Sequence, residues 1–214
     1  MESWFLLAHV GLAASLEVTA VERVAMRRGE LLVGQGQATT LESGARIWDS
    51  GRELSSQLLL RADKLKGKRV LELGAGTGIG GLSAAACGAE VMLSDQAELL
   101  PLLNENIRAN DLGSRAMATQ LWWGDSSDME RVGSSGPFDL VVGSDLLYAP
   151  HVFPLLLETL AALCTPKRTE VLLTYPTRYT EDIFFDDAQA YFEVDSTEEV
   201  GCNIWATRMT RLED

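Results

Sequence analysis

Between Lys68 and Asp95 the chain reads KRVLELGAGTGIGGLSAAACGAEVMLSD, and no other stretch narrows the possible folds as far. A mostly apolar run ends at Leu73. Glycines follow at 74, 76 and 78, then a stretch of small residues, then a second apolar run that closes on Asp95. A strand that breaks into a glycine turn and continues as a helix begins a β-α-β unit. The turn brings the backbone close to a ligand and aims the helix N-terminus at it. An acid about twenty residues further on, at the end of the second strand, is placed to grip ribose hydroxyls.

The same alternation runs on downstream. Residues 68–73 and 90–94 read as strands around a small-residue helix at 78–87. Residues 97–110 place Leu99, Leu102, Leu103 and Ile107 at helical spacing, with Asn104 to Asn106 on its solvated side. Then come a strand at 116–123, a polar loop at 124–137, a strand at 138–144 and a helix at 151–164 with Pro154 in its first turn. A strand at 169–175 and a short helix at 180–190 precede a hairpin, 191–197 and 203–211, around Gly201. Strands alternating with helices predict an α/β fold with a doubly wound, mostly parallel sheet, covered on both faces and ended by an antiparallel C-terminal hairpin. Ahead of it, residues 30–47 read as short strands and 48–62 as a helix. Residues 1–47 are expected to be an extension of the same domain, and 48–214 the domain proper.

Composition limits the partners. The 214 residues, 46% hydrophobic, suffice for one domain with a sizeable core. A net charge of -13 repels phosphate backbones, which argues against nucleic acid and favours basic protein segments; solubility alone explains it equally well. The three cysteines, Cys87, Cys164 and Cys202, form no CxxC pair, so neither a disulfide framework nor a metal site is expected, and all three read as reduced packing residues. The N-terminal MESWFLLAHVGLAAS is apolar but carries Glu2 where a signal peptide has positive charge. No run approaches membrane-spanning length, so no membrane partner is expected. The compartment expected is the cytosol, with the nucleus left open. His9 and His151 are the only histidines, and neither is an obvious base; His151 is expected at the surface of a helix start.

Which cofactor the glycine turn serves follows from charge. A fingerprint for dinucleotides, Gly-x-Gly-x-x-Gly, can be read at Gly76, Gly78 and Gly81, but from Gly74 its third position falls on Ile79. Glu72, inside the strand, would repel a diphosphate, whereas it could accept a hydrogen bond from an ammonium group. Together with Asp95 it suits S-adenosyl-L-methionine, a sulfonium cation with an amino acid tail and no phosphate. Asp145 to Tyr148, DLLY, follows Ser144 at the end of the 138–144 strand. That carboxyl end of an open parallel sheet is where ligands lie.

VLELGAGTGIGGLSAA resembles the first motif of class I, seven-β-strand, S-adenosylmethionine-dependent methyltransferases. From about residue 30 onward the chain is similar to them, which implies a Rossmann-like seven-stranded sheet. DLLY resembles the Asp-x-x-Tyr signature of the family-16 protein lysine methyltransferases, a group acting on chaperones, an AAA ATPase (valosin-containing protein) and translation elongation factors. GARIWDSGRELSSQLL, with Trp48, resembles their segment before the first core strand. LWWGD resembles their third-strand end beside the adenine, and TYPTRYTEDIFF their Tyr-x-x-Arg with paired Phe; Pro176 departs from the usual polar residue. The resemblance implies methylation of a lysine on a protein substrate. It implies cofactor contacts from Trp48, Glu72, Gly74, Gly76, Asp95, Trp123 and Ser144, and acceptor-side roles for Asp145 and Tyr148. Trp122, the neighbour of Trp123, is expected in the core. Asp125 reads equally as a loop cap or an adenine contact, and Tyr175 and Arg178 as structural or functional.

Lysine methylation needs a neutral amine. With a free pKa near 10.4, neutralising it at pH 7 costs about 4.6 kcal/mol, which an apolar aromatic channel lowers. Trp48, Tyr148 and Phe184 are candidate walls, and Asp145 would hold the amine. The competing readings are transfer to a small molecule or to a His or Arg side chain, a non-catalytic cofactor-binding module, and a nicotinamide oxidoreductase.

Overall fold

The computed structural model describes residues 17–26, 29–37 and 44–213. Its strands are β1 (Glu17–Ala25), β2 (Glu30–Gln37), β3 (Arg69–Leu73), β4 (Glu90–Asp95), β5 (Ala116–Gln120), β6 (Leu140–Ser144), β7 (Glu170–Pro176), β8 (Phe192–Gly201) and β9 (Ile204–Arg211). The helices are α1 (Asp49–Leu60), α2 (Ala62–Leu65), α3 (Ile79–Ala86), α4 (Leu100–Ala109), α5 (Ser126–Gly133), α6 (Phe153–Leu163) and α7 (Glu181–Ala188).

Within the described residues, β3 to β9 form one seven-stranded sheet in the order β5-β4-β3-β6-β7-β9-β8. The pairs from β5 through β7 are parallel, and β9 joins β7 and β8 antiparallel. The chain therefore winds outward from β3 to β5, returns to β6 beside β3, and winds the other way. The carboxyl ends of β3, β4 and β6 meet where the direction reverses, which is where a doubly wound sheet leaves a crevice.

Alternation along the strands sorts side chains onto two faces. Val70, Val91, Leu93, Val142 and Leu172 pack with Leu54 and Leu58 of α1, Leu82 of α3 and Leu103 of α4. Leu71, Leu73, Met92, Val141 and Leu173 pack with Phe153, Leu156 and Leu160 of α6 and Phe184 of α7. Phe184 is fully buried, so it belongs to this second core and is not a channel wall.

Several expectations need correction. Among the described residues of 30–47 there is one strand, β2, and it pairs antiparallel with β1. Residues 38–43 and the apolar N-terminal segment with His9 lie outside the described residues. The polar stretch at 124–137 contains α5, which presents little apolar surface and buries only Asp128 and Val132. Strand β5 stops at Gln120, so Trp122 and Trp123 follow the strand and do not face opposite sides of the sheet. Cys202 is exposed in the β8–β9 turn, so it is not a core packing residue, whereas Cys164 is buried. No described helix is long and apolar enough to cross a membrane.

Asn106 overturns the solvated reading of α4. It is buried, its Oδ1 accepts the Gly34 N–H at 2.8 Å, and its Nδ2 donates to the Gly34 carbonyl at 3.0 Å and the Thr77 carbonyl at 2.9 Å. One turn later Asn110 treats Leu32 likewise, Oδ1 accepting the N–H at 2.7 Å and Nδ2 donating to the carbonyl at 2.6 Å. The two amides complete the free edge of β2 as another strand would, and fasten the hairpin to the glycine turn. Asn106→Ala leaves three buried backbone groups without partners and is expected to cost roughly 2–4 kcal/mol. Urea unfolding measures the loss; a cost below about 1 kcal/mol would mean that the hairpin does not depend on this amide.

Candidate active site

A cavity of about 610 Å³ opens at the reversal of the sheet. Its floor is the glycine turn after β3. Gly74, Gly76 and Gly78 all have positive φ, at 55°, 56° and 80°. Only at Gly76 does the backbone of another segment press in: an added Cβ would lie 2.6 Å from the Gly44 carbonyl oxygen. A glycine is required there for both its φ and its closeness. Gly44, Ala45, Arg46 and Ile47 thereby form a wall over the turn, fixed by the Gly36 N–H to the Ala45 carbonyl at 3.0 Å and the Ile47 N–H to Gln35 Oε1 at 2.9 Å.

Asp95 stands at the end of β4 and lines the cavity. Its Oδ2 accepts the Gly76 N–H and its Oδ1 the Gln96 N–H, each at 2.7 Å. Burial raises its pKa against these two donors. Each oxygen keeps a second lone-pair direction for a hydroxyl.

Glu72 does not line the cavity, which corrects its expected role as a direct contact. Its side chain is 1% exposed and lies on the first turn of α3, where Oε2 accepts the Gly81 N–H at 2.8 Å and the Gly80 N–H adds a further bond. The alternation that puts Leu71 and Leu73 on one face puts Glu72 on the other, beneath α3. Burial pushes its pKa from 4.5 up to about 8, with the charge of Asp95 adding and the two N–H groups opposing.

The other walls come from the ends of β5, β6 and β7 and from the start of α1. Trp48 precedes α1 and is 44% exposed; Trp122 and Trp123 both line the cavity, so neither is core, although Trp123 also packs on the second cluster. Their loop is held by the Gly124 N–H to Thr159 Oγ1 at 2.9 Å. Asp125 caps α5, accepting the Asp128 N–H at 2.8 Å, and does not line the cavity. Ser144 and Asp145 line it from the end of β6, and Tyr148, 58% exposed, sits at its mouth. Partial burial and the nearby charges of Asp95 and Asp145 raise the Tyr148 pKa, so its phenol stays neutral.

Of the residues expected at the site, Trp48, Gly74, Gly76, Asp95, Trp123, Ser144, Asp145 and Tyr148 meet in this one cavity. Arg178 joins them: its Nη2 donates to Asp145 Oδ1 at 2.6 Å. Tyr175 is buried and bonds through its hydroxyl to Thr207 Oγ1 at 2.7 Å, which makes it structural. Arg46 also lines the cavity, with its guanidinium 5.7 Å from the Trp48 ring centroid. Its position two residues before Trp48 was the one available signal.

Because folding raises the Glu72 pKa, the folded chain binds that proton more tightly than the unfolded chain. The stability linked to it is complete below about pH 4.5 and is lost as the pH rises through about 8, with a limiting slope of roughly 1.4 kcal/mol per pH unit. Glu72→Gln stays neutral and is expected to flatten that decline. Urea unfolding of both proteins from about pH 5 to 9 compares the slopes; parallel curves would exclude a bound proton.

Comparison with known proteins follows this geometry. A family model described as lysine methyltransferase matches residues 29–191. Mouse EEF1A lysine methyltransferase 3 is 38% identical over 141 residues, 65% of this chain and 59% of that protein. Zebrafish (Danio rerio) Protein N-lysine methyltransferase METTL21A is 40% identical over 139 residues, 64% of this chain and 62% of that protein. The matches thus span about three-fifths of these relatives' length. A solved SAM-dependent methyltransferase from Agrobacterium tumefaciens superposes with a TM-score of 0.60 at 17% identity, over 90% of this chain and 70% of that one, a likeness of fold.

Proposed function

Since the chain belongs to the lysine methyltransferase family, we propose that it is an S-adenosyl-L-methionine-dependent protein N-methyltransferase acting on a lysine side chain. The observation that carries this reading is the meeting of Asp95, the glycine turn and Asp145–Tyr148 in one cavity.

The cavity fits the cofactor in size and in chemistry. About 610 Å³ suits a mononucleoside with an amino acid tail. Asp95 offers lone pairs to ribose hydroxyls, Gly74 and Gly76 bring the backbone of the turn to the cavity beside the tail, and Trp48 and Trp123 offer ring faces to the adenine or the sulfonium. A diphosphate is disfavoured because Glu72 already takes the N–H groups of Gly80 and Gly81 at the start of α3. When bound, the cofactor supplies an electrophilic methyl group on sulfur.

The chain's own residues then have to align and desolvate an amine. Tyr148, Trp122 and Leu155 give the mouth an apolar lining that disfavours the ammonium form. Asp145 is held by Arg178 through Oδ1, so Oδ2 is the oxygen assigned to the amine. Tyr148 keeps its proton and acts as a wall and hydrogen-bond partner. No side chain is assigned as a dedicated base; the amine's proton leaves to water.

The related proteins named for EEF1A make that factor the first acceptor to test. Incubation with tritiated S-adenosyl-L-methionine, EEF1A and a cell extract is expected to label a protein band, and mass spectrometry to place the methyl group on lysine. Label on a small molecule, or on His or Arg, would refute the acceptor assignment; no transfer and no binding would refute the reading. Asp145→Ala is expected to abolish turnover while cofactor binding stays measurable. Asp95→Ala is expected to weaken cofactor binding by roughly tenfold, about the worth of one charge-assisted hydrogen bond, in a calorimetric titration. Full activity of the first variant, or unchanged affinity of the second, would remove that residue from its role.

A further inference from the structure

Among the described residues, two basic side chains line the cavity, Arg46 and Arg178. Arg178 is charge-matched: its Nη2 lies 2.6 Å from Asp145 Oδ1. Arg46 makes no ion pair among the described residues. Its guanidinium rests over the Trp48 ring, 5.7 Å from the centroid.

The backbone under Arg46 is held in place. Gly36 donates to the Ala45 carbonyl before it, and the Ile47 N–H donates to Gln35 Oε1 after it. On the next residues, Trp48 leads into α1, where Gly51 and Arg52 donate their N–H groups back to the Trp48 carbonyl at 3.0 and 3.2 Å. A guanidinium lying over an aromatic face in a cation–π contact can still turn its N–H groups to a carboxylate in a bidentate pair. This wall crosses directly above the turn, with Gly44 O at the distance that forbids a side chain on Gly76.

The ligand proposed above carries one anionic group, the α-carboxylate of its amino acid tail. The carboxylates lining the cavity, Asp95 and Asp145, repel it. The N–H groups of Gly80 and Gly81 are taken by Glu72. Arg178 already has its charge matched by Asp145, whereas Arg46 has no such counter-charge among the described residues. We infer that Arg46 binds the carboxylate of the cofactor's amino acid tail, and so sets the preference of this site for an amino acid-bearing nucleoside over its decarboxylated analogue. This inference rests on the proposed function and assigns a residue that the sequence reading left without a role.

Two ligands that differ only in that group test it: S-adenosyl-L-methionine and decarboxylated S-adenosylmethionine, titrated calorimetrically into the full chain, Arg46→Ala and Arg46→Lys. The unaltered protein is expected to bind the complete cofactor roughly 10- to 100-fold more tightly than the decarboxylated one, the range of a charge-assisted pair. Arg46→Ala is expected to erase that difference by weakening only the complete cofactor, and Arg46→Lys to restore part of it. Equal weakening of both ligands would overturn the inference, because Arg46 would then act through the Trp48 wall. A loss below about threefold for the complete cofactor would overturn it as well. Failure of the unaltered protein to bind either ligand would instead bring down the cofactor reading itself. Circular dichroism of the variants separates misfolding from lost contact.

Discussion

The site depends on one close approach. Gly76, at φ 56°, stands where a Cβ would lie 2.6 Å from the Gly44 carbonyl, and it donates its N–H to Asp95 at 2.7 Å. That single residue brings three segments together: the turn after β3, the end of β4, and the wall before α1. Any side chain there would force the wall and the turn apart. The Asn106 amide supports the same junction from behind, because it binds the Thr77 carbonyl and both backbone groups of Gly34.

Around this junction the charges are segregated. Glu72 is withdrawn beneath α3, where burial holds a proton on it near neutrality. Asp95 faces the cavity with both oxygens already steadied by backbone donors. Asp145 is matched by Arg178, which limits how strongly an incoming ammonium would be held as a cation. A lone carboxylate at that point would raise the amine's pKa and oppose the neutral form that the proposed transfer needs. The aromatic mouth works in the same direction by excluding water.

How much of this was legible depended on how each element buries its surface. The β3–α3–β4 unit was readable because buried parallel strands are near-continuous apolar runs and the turn between them needs glycine. The same is true of α6, whose Phe153, Leu156, Leu157 and Leu160 mark one face. By contrast, α5 packs so little apolar surface that its composition reads as a loop; its start is marked only by the Asp125 cap. Asn106 reads as solvated on a helical wheel, because nothing local tells that a hairpin more than seventy residues upstream in sequence lays its open edge against it. Trp122 reads as core for a similar reason: strand alternation carried past Gln120 applies a two-residue period where no strand exists.

Local pattern was enough to establish the α/β class, the glycine turn and the acid ending β4, since each follows from periodicity or from the conformational needs of neighbouring residues; it set Asp145 and Tyr148 at the end of a strand, and their roles were what the resemblance implied. Direction and partnership were not available from it. Whether Glu72 faces the ligand or the helix, whether Arg178 holds Asp145, and whether Arg46 stands over Trp48 depend on side chains brought together from distant segments. Those contacts form only when the sheet closes and two faces are assigned, and no spacing along one strand of chain encodes them.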